Sequence, residues 1–174
     1  MRRAAGFWIV SLLGVALGAL PVRADSAAAP RDVATSARLD GVYLTLGPLG
    51  VLTRVHGQTT TGTGLELSVV HVDEHAWLAA YGVAVGGVGY TERDGGRLWL
   101  EAEVAHQGSL PVAIGLGLGV TAEVDPVRPP RFGAQATLWV FAGIVPYVRV
   151  GTLAQAGTYL EAGIIIKVPV AQFR

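Results

Sequence analysis

The chain has 174 residues with thirteen basic and thirteen acidic side chains, a formal net charge of zero, and no cysteine. Those counts exclude a disulfide framework and a cysteine-linked lipid anchor, and they offer no basic stripe for nucleic acid. Apolar residues make up 51% of the chain and glycine supplies 24 positions, so one domain's length of chain must bury or lipidate an unusually oily surface.

Residues 1–24 read as a cleavable export signal. Met1, Arg2 and Arg3 form a basic start, Ala4 to Leu20 an apolar run, and Val22 and Ala24 sit at the −3 and −1 positions of a processing site. The alternative is an uncleaved anchor, at the short end of what spans a bilayer. The residues around Arg2-Arg3 do not otherwise match a twin-arginine signal, so general secretion is expected. Processing removes Arg2, Arg3 and Arg23 but no acid, which leaves ten basic against thirteen acidic groups. Residues 25–40, polar and alanine-rich without a period, read as a periplasmic lead-in. After Leu20 no apolar run has the length of a membrane helix.

From Gly41 the chain divides into eight alternating segments: 41–55, 63–72, 76–90, 97–106, 110–124, 131–142, 145–153 and 158–170. Short connectors with turn chemistry join them, such as "HGQTTTG", "ERDGG" and "AQAG". With no helical period between them, the segments predict an antiparallel meander occupying residues 41–174. Pro48, flanked by Gly47 and Gly50, predicts a bulge in the first strand that turns Arg54 inward.

Parity decides which way the faces point. In the fifth segment Ile114, Leu116 and Leu118 alternate with Gly115, Gly117 and Gly119. In the fourth, Leu98, Leu100, Ala102 and Val104 oppose Trp99, Glu101 and Glu103, and in the eighth Leu160, Ile164 and Ile166 oppose Tyr159, Glu161 and Lys167. One face is continuously oily; the other mixes glycines, aromatics and charges. A glycine-lined face is a poor water-facing surface, but it suits the interior of an eight-stranded barrel, where small residues make room for large ones opposite. The lumen is thus expected to hold Trp99, Trp139, Phe141 and Tyr159 with a charge network of Glu66, Glu101, Glu103, Arg149, Glu161 and Lys167, balanced by Arg97 or Arg131 near a mouth. Ile114, Leu116, Leu118, Ile164 and Ile166 would face lipid, where a cation costs about 2–4 kcal/mol at the midplane. Trp77, Tyr81 and Phe132 fit near the membrane interfaces.

The strand count, alternations such as "GTGLELSVVHV" and the penultimate Phe173 of "KVPVAQFR" together resemble the small OmpA/OmpX-like outer-membrane barrels of Gram-negative bacteria. The resemblance implies an eight-stranded up-and-down transmembrane β-barrel with a structural or envelope-integrity role. It also implies contact with outer-membrane lipid, insertion by the barrel-assembly machinery, and Phe173 as the assembly signal, provided that a bulge at Pro169 reverses its parity with Lys167. A soluble lipocalin-like barrel holding an apolar ligand is the alternative, and a lipid-modifying barrel enzyme a second.

No enzyme activity, cofactor or metal is expected. "HVDEH", His71 to His75, matches the H-x-x-E-H spacing of inverted zinc peptidases, yet that chemistry needs a helix and these residues end a strand. "GLGLG" lacks the spacing and following helix of a nucleotide loop. Glu101 and Glu103, two apart on one strand face, are carboxylates of a charge network before they are an acid–base pair, and "HQGS", His106 to Ser109, lacks the spacing of lipid A deacylases. Intact mass of the exported protein should place the mature N-terminus at Asp25; a mass that retains residues 1–24 would indicate an anchored chain instead.

Overall fold

The structure, a computed structural model, describes residues 40–55, 57–73, 75–107 and 112–173; the proposed signal, the lead-in up to residue 39, Glu74, Ser109 and Arg174 lie outside the described residues. The described chain is all-β, without a helix. Its strands are β1 (Gly41–Val55), β2 (Gln58–Val72), β3 (Ala80–Tyr90), β4 (Gly96–Gln107), β5 (Ala113–Asp125), β6 (Arg128–Phe141), β7 (Val145–Leu153), β8 (Gly157–Ile165) and β9 (Val168–Phe173). Each strand from β1 to β7 pairs antiparallel with the next, and β1 also pairs with β8 and β9. The result is a closed eight-stranded barrel in which β8 and β9 are two pieces of the last strand. Closure leaves no full-length edge exposed.

Several boundaries differ from the sequence expectation. β2 starts at Gln58, because Gly57 takes φ 80° and turns the chain in a two-residue connection. The threonines that resemble a loop therefore lie in the strand. β3 starts at Ala80, while Trp77 and Leu78 belong to a loop fastened by Asp73 N donating to Ala79 O at 2.9 Å. β5 and β6 run up to a two-residue turn, so much of "DPVRPP" is strand.

The bulge expected at Pro48 is absent. β1 and β2 pair without a register change from Gly41–Val72 to Val55–Gln58. The carbonyl of Pro48 accepts from Ile166 N at 3.0 Å. In an antiparallel ladder a residue's nitrogen and carbonyl point to the same neighbour, so the donor that proline lacks is missing toward the last strand and the β1–β2 ladder is untouched. Parity is then unbroken along β1. Thr53 points inward and is buried, and Arg54 points outward and is exposed, the reverse of the expected inward turn.

The bulge falls in β9 instead. Thr45 pairs with Pro169 and Leu44 with Ala171, which leaves Val170 as the extra residue. Beyond it the parity flips: Gln172 lies opposite Tyr43 and donates to its Oη at 2.9 Å, while Phe173 lies opposite Val42 on the outer face.

Inside, the glycines are sites of close approach. A Cβ on Gly115 would run into the Trp139 indole, one on Gly86 into Trp99, and one on Gly151 into Tyr159. Each large ring occupies the space that its glycine neighbour leaves. Gly115→Val should therefore lower stability by about 1–3 kcal/mol through overpacking. Gly89→Ala, whose Cβ meets nothing within 4 Å, should stay within about 0.5 kcal/mol of the parent. Urea unfolding followed by tryptophan fluorescence compares the two.

Candidate functional site

The barrel's interior is an ionic core. Glu66, Glu101, Glu103, Arg149 and Glu161 are buried on its inward face, and Lys167 is nearly so. These are the six residues expected in the lumen, and the structure places them in two groups.

Arg149, on β7, is the hub of the first. Its Nε lies 3.2 Å from Glu101 Oε1 and its Nη1 2.8 Å from Glu161 Oε1, and Nε also donates to Thr137 Oγ1 at 2.9 Å. The carboxylates are held from the other side. Glu101 accepts from Gln135 Nε2 at 2.5 Å and Thr137 Oγ1 at 2.6 Å; Glu161 accepts from Thr53 Oγ1 at 2.9 Å and Tyr147 Oη at 3.1 Å. Tyr159 Oη extends the chain to Gln135 Oε1 at 2.7 Å. Arg97 forms an ion pair with Glu161 and stacks on Tyr159, 4.0 Å from its centroid, while Arg149 stacks on Trp99 at 4.3 Å. Arg97 is thus fully buried in the core, not at a mouth.

The second group is Lys167, whose Nζ lies 3.0 Å from Glu66 Oε1 and 3.1 Å from Glu103 Oε2, with Trp139 at 5.5 Å. A third set lies at the mouth opposite Gly41 and Phe173. Glu123 takes a forked contact from Arg93, at 3.3 and 3.2 Å, and lies 3.7 Å from Arg131. Five carboxylates therefore face five cations across the interior and its mouth. Phe141 has inward parity but lies at the rim, 42% exposed, and does not pack in the lumen as expected.

Outside this mouth, Glu92 accepts from Thr60 Oγ1 at 2.5 Å, Thr61 Oγ1 at 2.5 Å and Thr61 N at 2.7 Å. The hydroxyls of Thr60 and Thr61 and the Thr61 amide hold its carboxyl down at about 2 from the ordinary 4.5. A depressed carboxyl contributes stability above its unfolded value, and that contribution is lost as pH falls toward 2.

Sequence parity missed Thr53, because the expected bulge at Pro48 would have put it outside. Arg93 was missed as a loop residue, although Glu123 on inward parity required a cation. Gln135 and Thr137 share the parity of Trp139 and were readable there.

The outer wall is apolar. Ile114, Leu116, Leu118, Ile164 and Ile166 are all exposed on it. On β5 the outward residues from Ile114 to Val124 carry no polar side chain, a run of about 33 Å along the strand and, at ordinary barrel tilt, about 25 Å of height. Arg54 lies toward one end of the wall, His71 and His106 toward the other. Near these histidines Trp77 stands 81% exposed, its ring 5.4 Å from that of His106, and Tyr81 lies 5.0 Å from His71. A groove of about 430 Å³ among Leu98, Leu100, Val120, Ala122 and Phe132 opens on this wall, not into the lumen.

The catalytic patterns are not assembled among the described residues. His71 faces outward on β2 while His75 lies in the following loop, so no shared helix presents them. Asp40, Asp73 and His75 each bring a ligand atom within 4.8 Å of the others, but on a partly exposed surface where such groupings are common without an ion. His106 is engaged with the Trp77 carbonyl at 2.7 Å. Glu101 and Glu103 are each held by their own partners.

Fold and core together define the class: a closed eight-stranded antiparallel β-barrel with an ionic interior and an apolar exterior. No protein-family model matches the chain, and no curated protein matches it. Among solved structures it is similar to Neisserial surface protein A, with a TM-score of 0.44 at 13% sequence identity over 74% of this chain and 97% of that one.

Arg149→Met would strand Glu101 and part of Glu161 without their shared cation, and should cost about 3–5 kcal/mol. Adding Glu101→Gln should cost less than the sum of the two single changes. A double-mutant cycle by urea unfolding measures the difference, and strict additivity would show that the two side chains do not interact.

Proposed function

We propose that this chain is a small outer-membrane β-barrel of a Gram-negative envelope, with a structural or envelope-integrity role and a lumen filled by its own side chains. The observation that carries the proposal is the inside-out distribution of polarity. Buried arginines and glutamates fill the interior, while rows of exposed leucine, isoleucine and valine cover the wall. In water that wall would be a very large apolar patch, far beyond the few hundred Å² that soluble monomers expose. In lipid it is the required surface, and closure pairs the backbone as a bilayer demands.

The rims fit the same reading. Trp77, Tyr81 and Phe173 stand exposed toward the end at which β1 begins, and Phe132 toward the other, where aromatic side chains meet headgroups. Phe173, turned outward by the Val170 bulge, is available as the assembly signal for the barrel-assembly machinery. A structural role fits the short connections at the end opposite Gly41 and Phe173: residues 56–57, 91–95, 126–127 and 154–156 are too short for an adhesive or receptor loop. An apolar ligand of the lipocalin kind would meet an interior occupied by charged side chains, and among the described residues no catalytic group is assembled to favour the enzyme reading.

Cell fractionation tests the location. The wild-type protein should partition with the outer membrane, need detergent for extraction and migrate differently on gels before and after boiling. Leu118→Arg places a cation near the middle of the apolar row on β5, at a cost of about 2–4 kcal/mol at mid-bilayer, and should reduce the inserted, heat-modifiable fraction. Recovery of the wild-type protein from the soluble periplasmic fraction without detergent would overturn the proposal.

A further inference from the structure

The last strand closes the barrel unevenly. β8 pairs with β7 on one side and β1 on the other, but β9 pairs with β1 alone. From residue 166 onward the pairing of the last strand with β1 is also irregular, although Ile166 N still donates to Pro48 O at 3.0 Å. Pro48 cannot donate to Ile166, Val170 is bulged out, and residues 166–167 interrupt the strand.

Lys167 stands at that interruption. In the register set by Leu46–Val168 and Leu49–Ile165 it lies opposite Gly47, and Gly47 lies opposite Glu66 on β2. Lysine, glycine and glutamate thus form one inward-facing row across the last, first and second strands. The lysine bridges this row, reaching Glu66 Oε1 at 3.0 Å and, further round the wall, Glu103 Oε2 on β4 at 3.1 Å. Glycine in the middle keeps the path open. A Cβ on Gly47 would already press on Ile165 Cγ2 at 2.5 Å.

We propose that Lys167 is the latch of the barrel: its ion pair with Glu66 spans the seam where backbone pairing between β1 and the last strand is interrupted, and so holds β9 closed against β1. The ladder supplies closure along β8; along β9, where the ladder to β1 is broken by the Val170 bulge, the side chains add to it. The latch does not depend on whether the outer wall meets lipid, so its test is separate from the fractionation experiment.

Amide hydrogen exchange, read segment by segment on the folded full-length mature chain, tests the latch. Lys167→Met should speed exchange by roughly tenfold or more in residues 42–46 and 168–173, with less than about a twofold change in the β4–β5 ladder. Because Lys167→Met alone strands two buried carboxylates, the decisive variant is Glu66→Gln, Glu103→Gln and Lys167→Met combined, which removes the ion pairs without leaving a buried charge. The latch predicts the same seam-confined acceleration there. Exchange that is unchanged in the combined variant, or that rises equally in β4–β5, would overturn it.

Discussion

Arg149 can be buried only because Glu101 and Glu161 reach it from two other strands and because Thr137, Gln135, Thr53 and Tyr147 satisfy the carboxylates in turn. A guanidinium taken out of water without such partners costs several kcal/mol. The network closes only when β1, β4, β6, β7 and β8 stand at one register around a common axis, so one interaction binds residues far apart in the chain into one geometry. Slipping any of these strands by one residue would send its inward set to the outer wall. The ionic core is therefore a register device, with strand alternation as the rule it enforces.

The small residues follow from the same constraint. An eight-stranded barrel has an interior only wide enough for side chains, and this one must hold Trp99, Trp139, Tyr147, Tyr159, two arginines and four glutamates. Gly86, Gly115, Gly151 and Gly163 face those rings directly, while Gly117 and Gly119 face the stem and carboxyl of Glu101. The empty face of β5 is the complement of the crowded faces of β4 and β6. Glycine weakens a strand by its conformational entropy; here the packing it permits offsets that cost.

Period-two alternation was the most legible part of the sequence, because every strand must obey it for its whole length. It correctly located eight strands, an inward charge set and an outward oily set. It failed where backbone chemistry, not side-chain polarity, decides. Pro48 is a strand breaker by composition, yet its missing donor points toward the seam, and that direction is a property of register that no local pattern contains. The error propagated to Thr53 and Arg54. Thr59 to Thr61 looked like loop because threonine is polar, but they lie on a strand near the rim, where the hydroxyls of Thr60 and Thr61 bond Glu92 and Thr91 across the wall. Arg97 was placed at a mouth from its position at the start of a strand, whereas its long side chain carries the charge inward to Glu161.

The weak and strong parts of the wall are placed with the same economy. β1 pairs with β2 without interruption over fifteen residues, so the irregularities in its own pairing lie on its other side, where the last strand arrives. Pro48, the break at residues 166–167 and the Val170 bulge lie close together there, and the bulge turns Phe173 outward. A straight last strand would pair better with β1 but would point Phe173 into the lumen beside Tyr43. The bulge trades backbone pairing for an outward terminal aromatic, and the Lys167–Glu66 ion pair supplies, from within the lumen, a cross-link over the strand that the ladder there binds least well.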